Sequence, residues 1–269
     1  MIPLPHLILS QQRAAAISGA DSDSIASLTT TKSGSVSIVT RGPSGHQFTL
    51  DWGDSNSETV THTGVGNDVT TPHTYSDASE KNISLIGDLA QITKLQLYNW
   101  GVGLYGDIVN LAELTGLVTC NLYGSRVSGN LSVFEGMLSL EYLRLAGALI
   151  TGELSSLPAS LTFLDLSYIA GMSKPINDLK ATALTTLYFN NSYPSVTSGA
   201  LSGPWAGTHQ LNNCGLTPTE IDNALIIYDS AGGTGGTLKL DGGNGARTSA
   251  SDAALVGLLG KGWTVTVNE

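Results

Sequence analysis

The chain is 269 residues long, enough for one large domain or two small ones with a substantial hydrophobic core. Its 12 Lys and Arg against 22 Asp and Glu leave a formal net charge of −10, which argues against nucleic acid or an anionic lipid surface as a partner. Hydrophobic residues at 41% exclude a disordered chain, while 13% charged residues and 32 glycines imply a surface made polar by Ser, Thr, Asn and backbone.

In chain order, residues 1–34 come first. No Lys or Arg precedes the short apolar run Leu7-Ile8-Leu9, and Pro3 and Pro5 interrupt a helix, so the segment does not read as a signal peptide. It is expected to be an anchoring arm, with one helical turn near Ala14-Ala15-Ala16. No window approaches the ~18 apolar residues of a membrane span, so membrane insertion is not expected.

Residues 35–88 have the alternation and turns of short strands, at Ser35–Val39, Phe48–Leu50, Glu58–Val60 and Ile83–Ile86. Phe48-Thr-Leu-Asp-Trp-Gly-Asp54, followed by His73-Thr-Tyr75, resembles the polycystic-kidney-disease-type (PKD) immunoglobulin-like domain, with Ser55 where that family usually has glycine. The resemblance implies a small β-sandwich. Asp51, Asp54, His62 and His73 read as turn formers and strand-fixing groups within it, the alternative being a surface calcium site on Asp51, Asp54 or Asp68.

From residue 89 an internal repeat appears. The phrase Leu-x-x-Leu-x-Leu recurs with middle anchors Leu95, Cys120, Leu143, Leu164 and Leu187, spaced 25, 23, 21 and 23 residues apart. A second phrase follows, in Leu104-Tyr-Gly106-Asp-Ile108, Val127-Ser-Gly129-Asn-Leu131, Ile150-Thr-Gly152-Glu-Leu154 and Val196-Thr-Ser-Gly199-Ala-Leu201. Together they resemble leucine-rich repeats of the x-Gly-x-Leu convex-turn type. The family's Asn ladder position is filled by Trp100, Ser125, Ala148, Ile169, Ser192 and Cys214.

A less regular copy runs through His209-Gln-Leu211. Thr217-Pro218-Thr219-Glu220 then predicts a capped helix, with Ile221, Ala224, Leu225 and Tyr228 on one face. A strand Thr237–Leu240, a helix near Ser251–Leu259 and a strand Trp263–Val267 complete the chain. This ending is similar to those of leucine-rich proteins of gut bacteria and their phages. The expected fold is thus mainly β: a PKD-like sandwich at 35–88, then a leucine-rich-repeat solenoid at 89–269 with a helix-containing C-terminal cap at 217–269. Four strands at ~4.8 Å put roughly 19 Å between Cys120 and Cys214, too far for a disulfide, so both are expected as buried thiols.

No catalytic motif is present: the glycine loops at 232–236 and 242–245 lack a P-loop's Lys-Ser/Thr ending, and nucleophile-elbow and zinc patterns are missing. Outward positions of the parallel strands align in columns: Lys94, Thr119, Tyr142, Phe163 and Thr186; Gln96, Asn121, Arg144, Asp165 and Tyr188; Tyr98, Tyr123, Ala146, Ser167 and Asn190. Tyr98, Tyr123, Tyr142, Arg144, Phe163, Asp165 and Tyr188 are the candidate binding residues, because rigid aromatics beside Arg are typical of hot spots. The alternative is that aromatics simply suit strands.

Both modules are recognition or spacing devices in the families they resemble. The chain is therefore expected to be a non-enzymatic bacteriophage virion protein, a tail or capsid-surface component, without metal or cofactor. Its arm would dock to other virion proteins in an oligomeric assembly, and its solenoid would face a host-surface glycan or protein. A bacterial surface or secreted adhesin is the alternative. A polysaccharide-degrading enzyme using Asp165 with Glu141 or Glu153 is the second.

Overall fold

A computed structural model describes residues 24–98, 100–170 and 174–269, so the expected arm falls outside the described residues up to position 23. Residues 24–34 depart from that expectation. Ser24–Thr30 is strand β1, with Ala26, Leu28 and Thr30 alternately buried. The period-two burial of a half-covered strand explains why this Ser- and Thr-rich segment belongs to the body of the protein.

The chain is mainly β, and its strands form two sheets. In the antiparallel half, β1 is followed by β2 (Gly34–Arg41), β3 (Gln47–Asp51), β4 (Ser57–Thr61), β5 (Val69–Tyr75) and β6 (Lys81–Gly87). Pro72 lies in β5, the edge strand of its sheet, where a missing N–H is tolerated. Ser55 takes φ 75°, a left-handed conformation that favours glycine.

From β7 (Lys94–Tyr98) to residue 151 the chain alternates between the sheets, and its later strands all join the β7 sheet. β9 (Thr119–Asn121), β11 (Tyr142–Arg144), β13 (Phe163–Asp165), β14 (Thr186–Tyr188) and β15 (Gly207–Gln210) join β7. On the opposite side lie β8 (Leu104–Asp107), β10 (Arg126–Asn130) and β12 (Leu149–Thr151). Helix α1 (Pro218–Ser230), β16 (Gly236–Lys239), α2 (Asp252–Gly260) and β17 (Trp263–Thr266) finish the chain. One sheet runs β12-β10-β8-β1-β6-β3-β4 and the other β17-β16-β15-β14-β13-β11-β9-β7-β2-β5.

The boundary expected at residue 88 is therefore no structural break. Both sheets cross it, through Thr29↔Tyr105 pairing of β1 with β8 and through the β2–β7 ladder from Ser37↔Tyr98 to Arg41↔Lys94. A single buried apolar cluster extends from Ala26 to Trp263. Across the same joint the Trp100 indole N–H donates to the Ser37 carbonyl at 3.0 Å, and Asp68 binds both Arg41 and Lys94.

Within the parallel half, Leu95, Cys120, Leu143, Leu164, Leu187, His209, Leu238 and Val265 are register partners on successive strands. All but the last are fully or almost fully buried. On the opposite sheet, Gly129 (φ 134°) and Gly152 (φ 103°) ride over the capping side chains of the preceding turn. A Cβ at Gly129 would stand 2.4 Å from Asp107 Oδ1, and one at Gly152 2.4 Å from Asn130 Oδ1. Those oxygens are occupied as caps, accepting from Val109 N and Ser132 N at 2.9 Å each.

At two of the positions where the repeat pattern would have Asn, other side chains hydrogen-bond the backbone of a preceding turn. Ser192 Oγ donates to the Leu166 carbonyl and accepts from Ile169 N, and the Cys214 thiol donates to the Phe189 carbonyl. In the final copy a true Asn appears: Asn244 accepts from Cys214 N and Leu216 N and donates to the Leu211 and Leu240 carbonyls. Both cysteines are free and buried, and burial pushes each thiol up to about 12. At α1 the capping box forms as expected, with Thr217 and Glu220 exchanging backbone hydrogen bonds. Asp222, on the same helix, accepts from Thr248 N, Thr248 Oγ1 and Ser251 Oγ and so ties α1 to the start of α2.

Candidate recognition surface on the parallel sheet

Two of the three columns anticipated from the repeat are present in register, and in the third Ala146 and Ser167 are buried. Tyr142 pairs with Thr119 and Phe163, Phe163 with Thr186, and Arg144 with Asn121 and Asp165, which in turn pairs with Tyr188. Adjacent strands ~4.8 Å apart bring such side chains into contact. The rings of Tyr142 and Phe163 stack with centroids 4.0 Å apart at 12°, and Tyr188 meets the Phe163 ring edge-on at 5.8 Å. All three are half-buried, each ring covered by its neighbour.

Arg144 is the hinge of the second group. Its Nε donates to Asp165 Oδ2 at 2.9 Å, and its guanidinium lies over the Tyr123 ring, 4.0 Å from the centroid. Tyr123 is 55% exposed, so its ring is held by Arg144 yet open to a partner. Asp165 differs from the other candidates. At 3% exposure its carboxylate is covered, accepting from Arg144 and from Ser167 N, and it positions Arg144 without presenting itself. Tyr98 closes β7 opposite Ser37.

An open groove of about 310 Å³ lies beside this cluster, lined by Gln96, Trp100, Asn121, Tyr123 and Arg144, with Gly101 and Gly124 along it. Gln96 and Asn121 belong to the anticipated columns, but the candidate set favoured aromatics and charge over carboxamides. A further residue escaped the sequence reading. Tyr168 follows Ser167 in the left-handed conformation (φ 59°) and is 61% exposed, whereas the equivalent turn positions are Gly124, Gly147, Asn191, Asn213 and Gly242. An aromatic side chain in that conformation costs about 1–2 kcal/mol.

No family model matches the chain, and no curated protein or solved structure matches it either.

The remaining candidate chemistry is dispersed. Asp51 Oδ1 accepts from Gly53 N, Asp54 binds His73 Nε2 at 2.8 Å and Asn56 N, and Asp68 is held between two cations, so the three carboxylates proposed as calcium ligands have separate protein partners. The hydrogen bond from His73 and those from Asn56 hold Asp54 below the usual carboxylate range despite its burial. His73 also stacks on Trp52 at 4.5 Å, and Tyr75 Oη donates to the Trp52 carbonyl, a packing role for the motif. Glu153, offered as a partner for Asp165, pairs instead with Lys174. Among the described residues no group of three or more His, Cys, Asp or Glu is placed to hold a metal, and no helix is long and apolar enough to cross a membrane.

Proposed function

We propose that this chain is a non-enzymatic structural and adhesion protein of a bacteriophage particle, a tail or capsid-surface component that presents its parallel sheet for host attachment. In this reading the antiparallel half is a PKD-like sandwich and the parallel half a leucine-rich-repeat solenoid closed by α1, α2 and their strands. Register-matched anchors and the close-packed glycines at 129 and 152 support the repeat assignment.

The observation that carries the functional reading is the outward cluster around Arg144. Tyr123 is exposed and held in place by the Arg144 guanidinium, which is itself fixed by the covered Asp165 carboxylate. A rigid aromatic beside a fixed guanidinium is the composition of a binding hot spot. Placement in a particle draws on the likeness of the C-terminal ending to leucine-rich proteins of gut bacteria and their phages. A bacterial surface adhesin would present the same face.

A mass-spectrometric inventory of purified particles and of the bacterial envelope separates these locations. The proposal expects the chain in particles, and expects a deletion of residues 2–20 to stay folded, because β1 is retained, while dropping out of particles. Recovery only in the bacterial envelope would overturn the virion reading, and normal incorporation of the deletion would remove the arm from it.

A further inference from the structure

We infer that the groove where β7, β9 and β11 meet is a binding site for a neutral saccharide; the inference rests on the recognition reading above and gives it a ligand class. Three polar side chains converge there with unused hydrogen-bonding capacity. Among the described residues the Gln96 carboxamide has no hydrogen-bond partner, so it offers both donors and an acceptor. Asn121 spends its Oδ1 on Tyr123 N at 3.1 Å, which fixes the amide and leaves Nδ2 to donate. Arg144 spends Nε on Asp165 and leaves its two terminal nitrogens. Gln96, Asn121 and Arg144 are consecutive register partners, so these groups lie in one row at ~4.8 Å intervals.

Beside the row stands the Tyr123 ring, one face backed by the guanidinium and the residue 55% exposed. Gly101 and Gly124 line the groove without side chains, and a Cβ built at either would enter open space.

The chemistry of the lining selects the occupant. An aliphatic ligand would cover the Gln96 carboxamide and Asn121 Nδ2 and leave those groups without partners, which is unfavourable. An anion would find the one cation already compensated by the covered Asp165 carboxylate, on a chain of net charge −10. A pyranose ring satisfies both demands: its apolar face lies on an aromatic ring, and its hydroxyls both donate and accept. The groove, at about 310 Å³, is at the small end of ligand-pocket sizes, appropriate to one or two sugar units.

The test titrates purified full-length protein with glucose, galactose, mannose, N-acetylglucosamine and their short oligomers, with N-acetylneuraminic acid and inorganic phosphate as charged comparators. Binding is read by saturation-transfer NMR and calorimetry. At least one neutral saccharide is expected to bind, with affinity reduced about tenfold or more in Tyr123→Ala and several-fold in Gln96→Ala. Tyr105→Ala, on the opposite sheet, is expected to leave binding unchanged. Binding of none of the neutral saccharides, binding of the charged comparators alone, or wild-type affinity in Tyr123→Ala would each overturn the inference. If the chain is nonetheless found in particles and needs the parallel sheet for attachment, the saccharide assignment fails while the functional reading stands.

Discussion

His209 stands where the other copies of the repeat place an aliphatic or thiol anchor, between Leu187 and Leu238 in the inward register. It has 0% exposure and is packed among the rings of Trp205, Tyr228 and Trp263. Among the described residues neither ring nitrogen has a well-formed hydrogen bond. Burial brings its pKa from 6.5 down to about 4, with the Leu184 carbonyl opposing the shift only in part. Because the folded-state pKa lies below the unfolded one, the unfolded chain takes up the proton first as pH falls. Stability present above pH ~6.5 is then lost progressively down to about pH 4, by about 3 kcal/mol in total. Chemical denaturation across that window should show this slope in the wild type and a distinctly flatter one in His209→Leu; equal slopes would mean that His209 does not carry the effect. The sequence reading placed His209 in a less regular copy of the repeat, since periodicity carries over whatever the residue's chemistry. Its titration was not legible there, because it depends on three aromatic rings brought in from Trp205, α1 and β17.

At the level of single elements, the repeat was legible because its two phrases encode two different constraints. Leu-x-x-Leu-x-Leu is the alternation of a half-buried strand, and the glycine of x-Gly-x-Leu marks a close approach of one turn to the next. Gly129→Ala must both hold φ near 134° and place a Cβ 2.4 Å from Asp107 Oδ1. It is predicted to destabilise by about 1–3 kcal/mol. Gly136→Ala, where a Cβ meets nothing within 4 Å, should be close to neutral, and equal melting temperatures for the two variants would refute the packing role. The ladder was harder to read. Asn244 lies four residues after Leu240, where Cys214 lies three after Leu211, so a fixed pattern passes over it although it makes four hydrogen bonds to the backbone. Tyr168 was hidden for a different reason. A left-handed turn is read from Gly or Asn, and an exposed tyrosine there gives no local signal.

Across the whole molecule, the alternation in residues 24–88 shows that one face of each strand is buried but not what buries it. A separate sandwich and a sandwich built into a neighbouring stack have the same pattern. The structure takes the second course: β2 and β1 are extended by β7 and β8, the edges that each half would otherwise expose are paired, and the parallel sheet begins on a fixed antiparallel base. The surface around Arg144 is thereby held close to that base, a preorganisation that suits recognition.

Attachment of purified protein to host cells, the activity that the proposed function requires, measured beside thermal unfolding, tests this most directly. The variant to use is Tyr123→Ala/Tyr188→Ala. Arg144 stays in place, since its loss would strand the covered Asp165 carboxylate and confuse stability with binding. The account predicts attachment weakened by about tenfold or more, with a midpoint shift of no more than about 4 °C. Attachment at wild-type strength in the folded double variant, or none by the wild type, would contradict it.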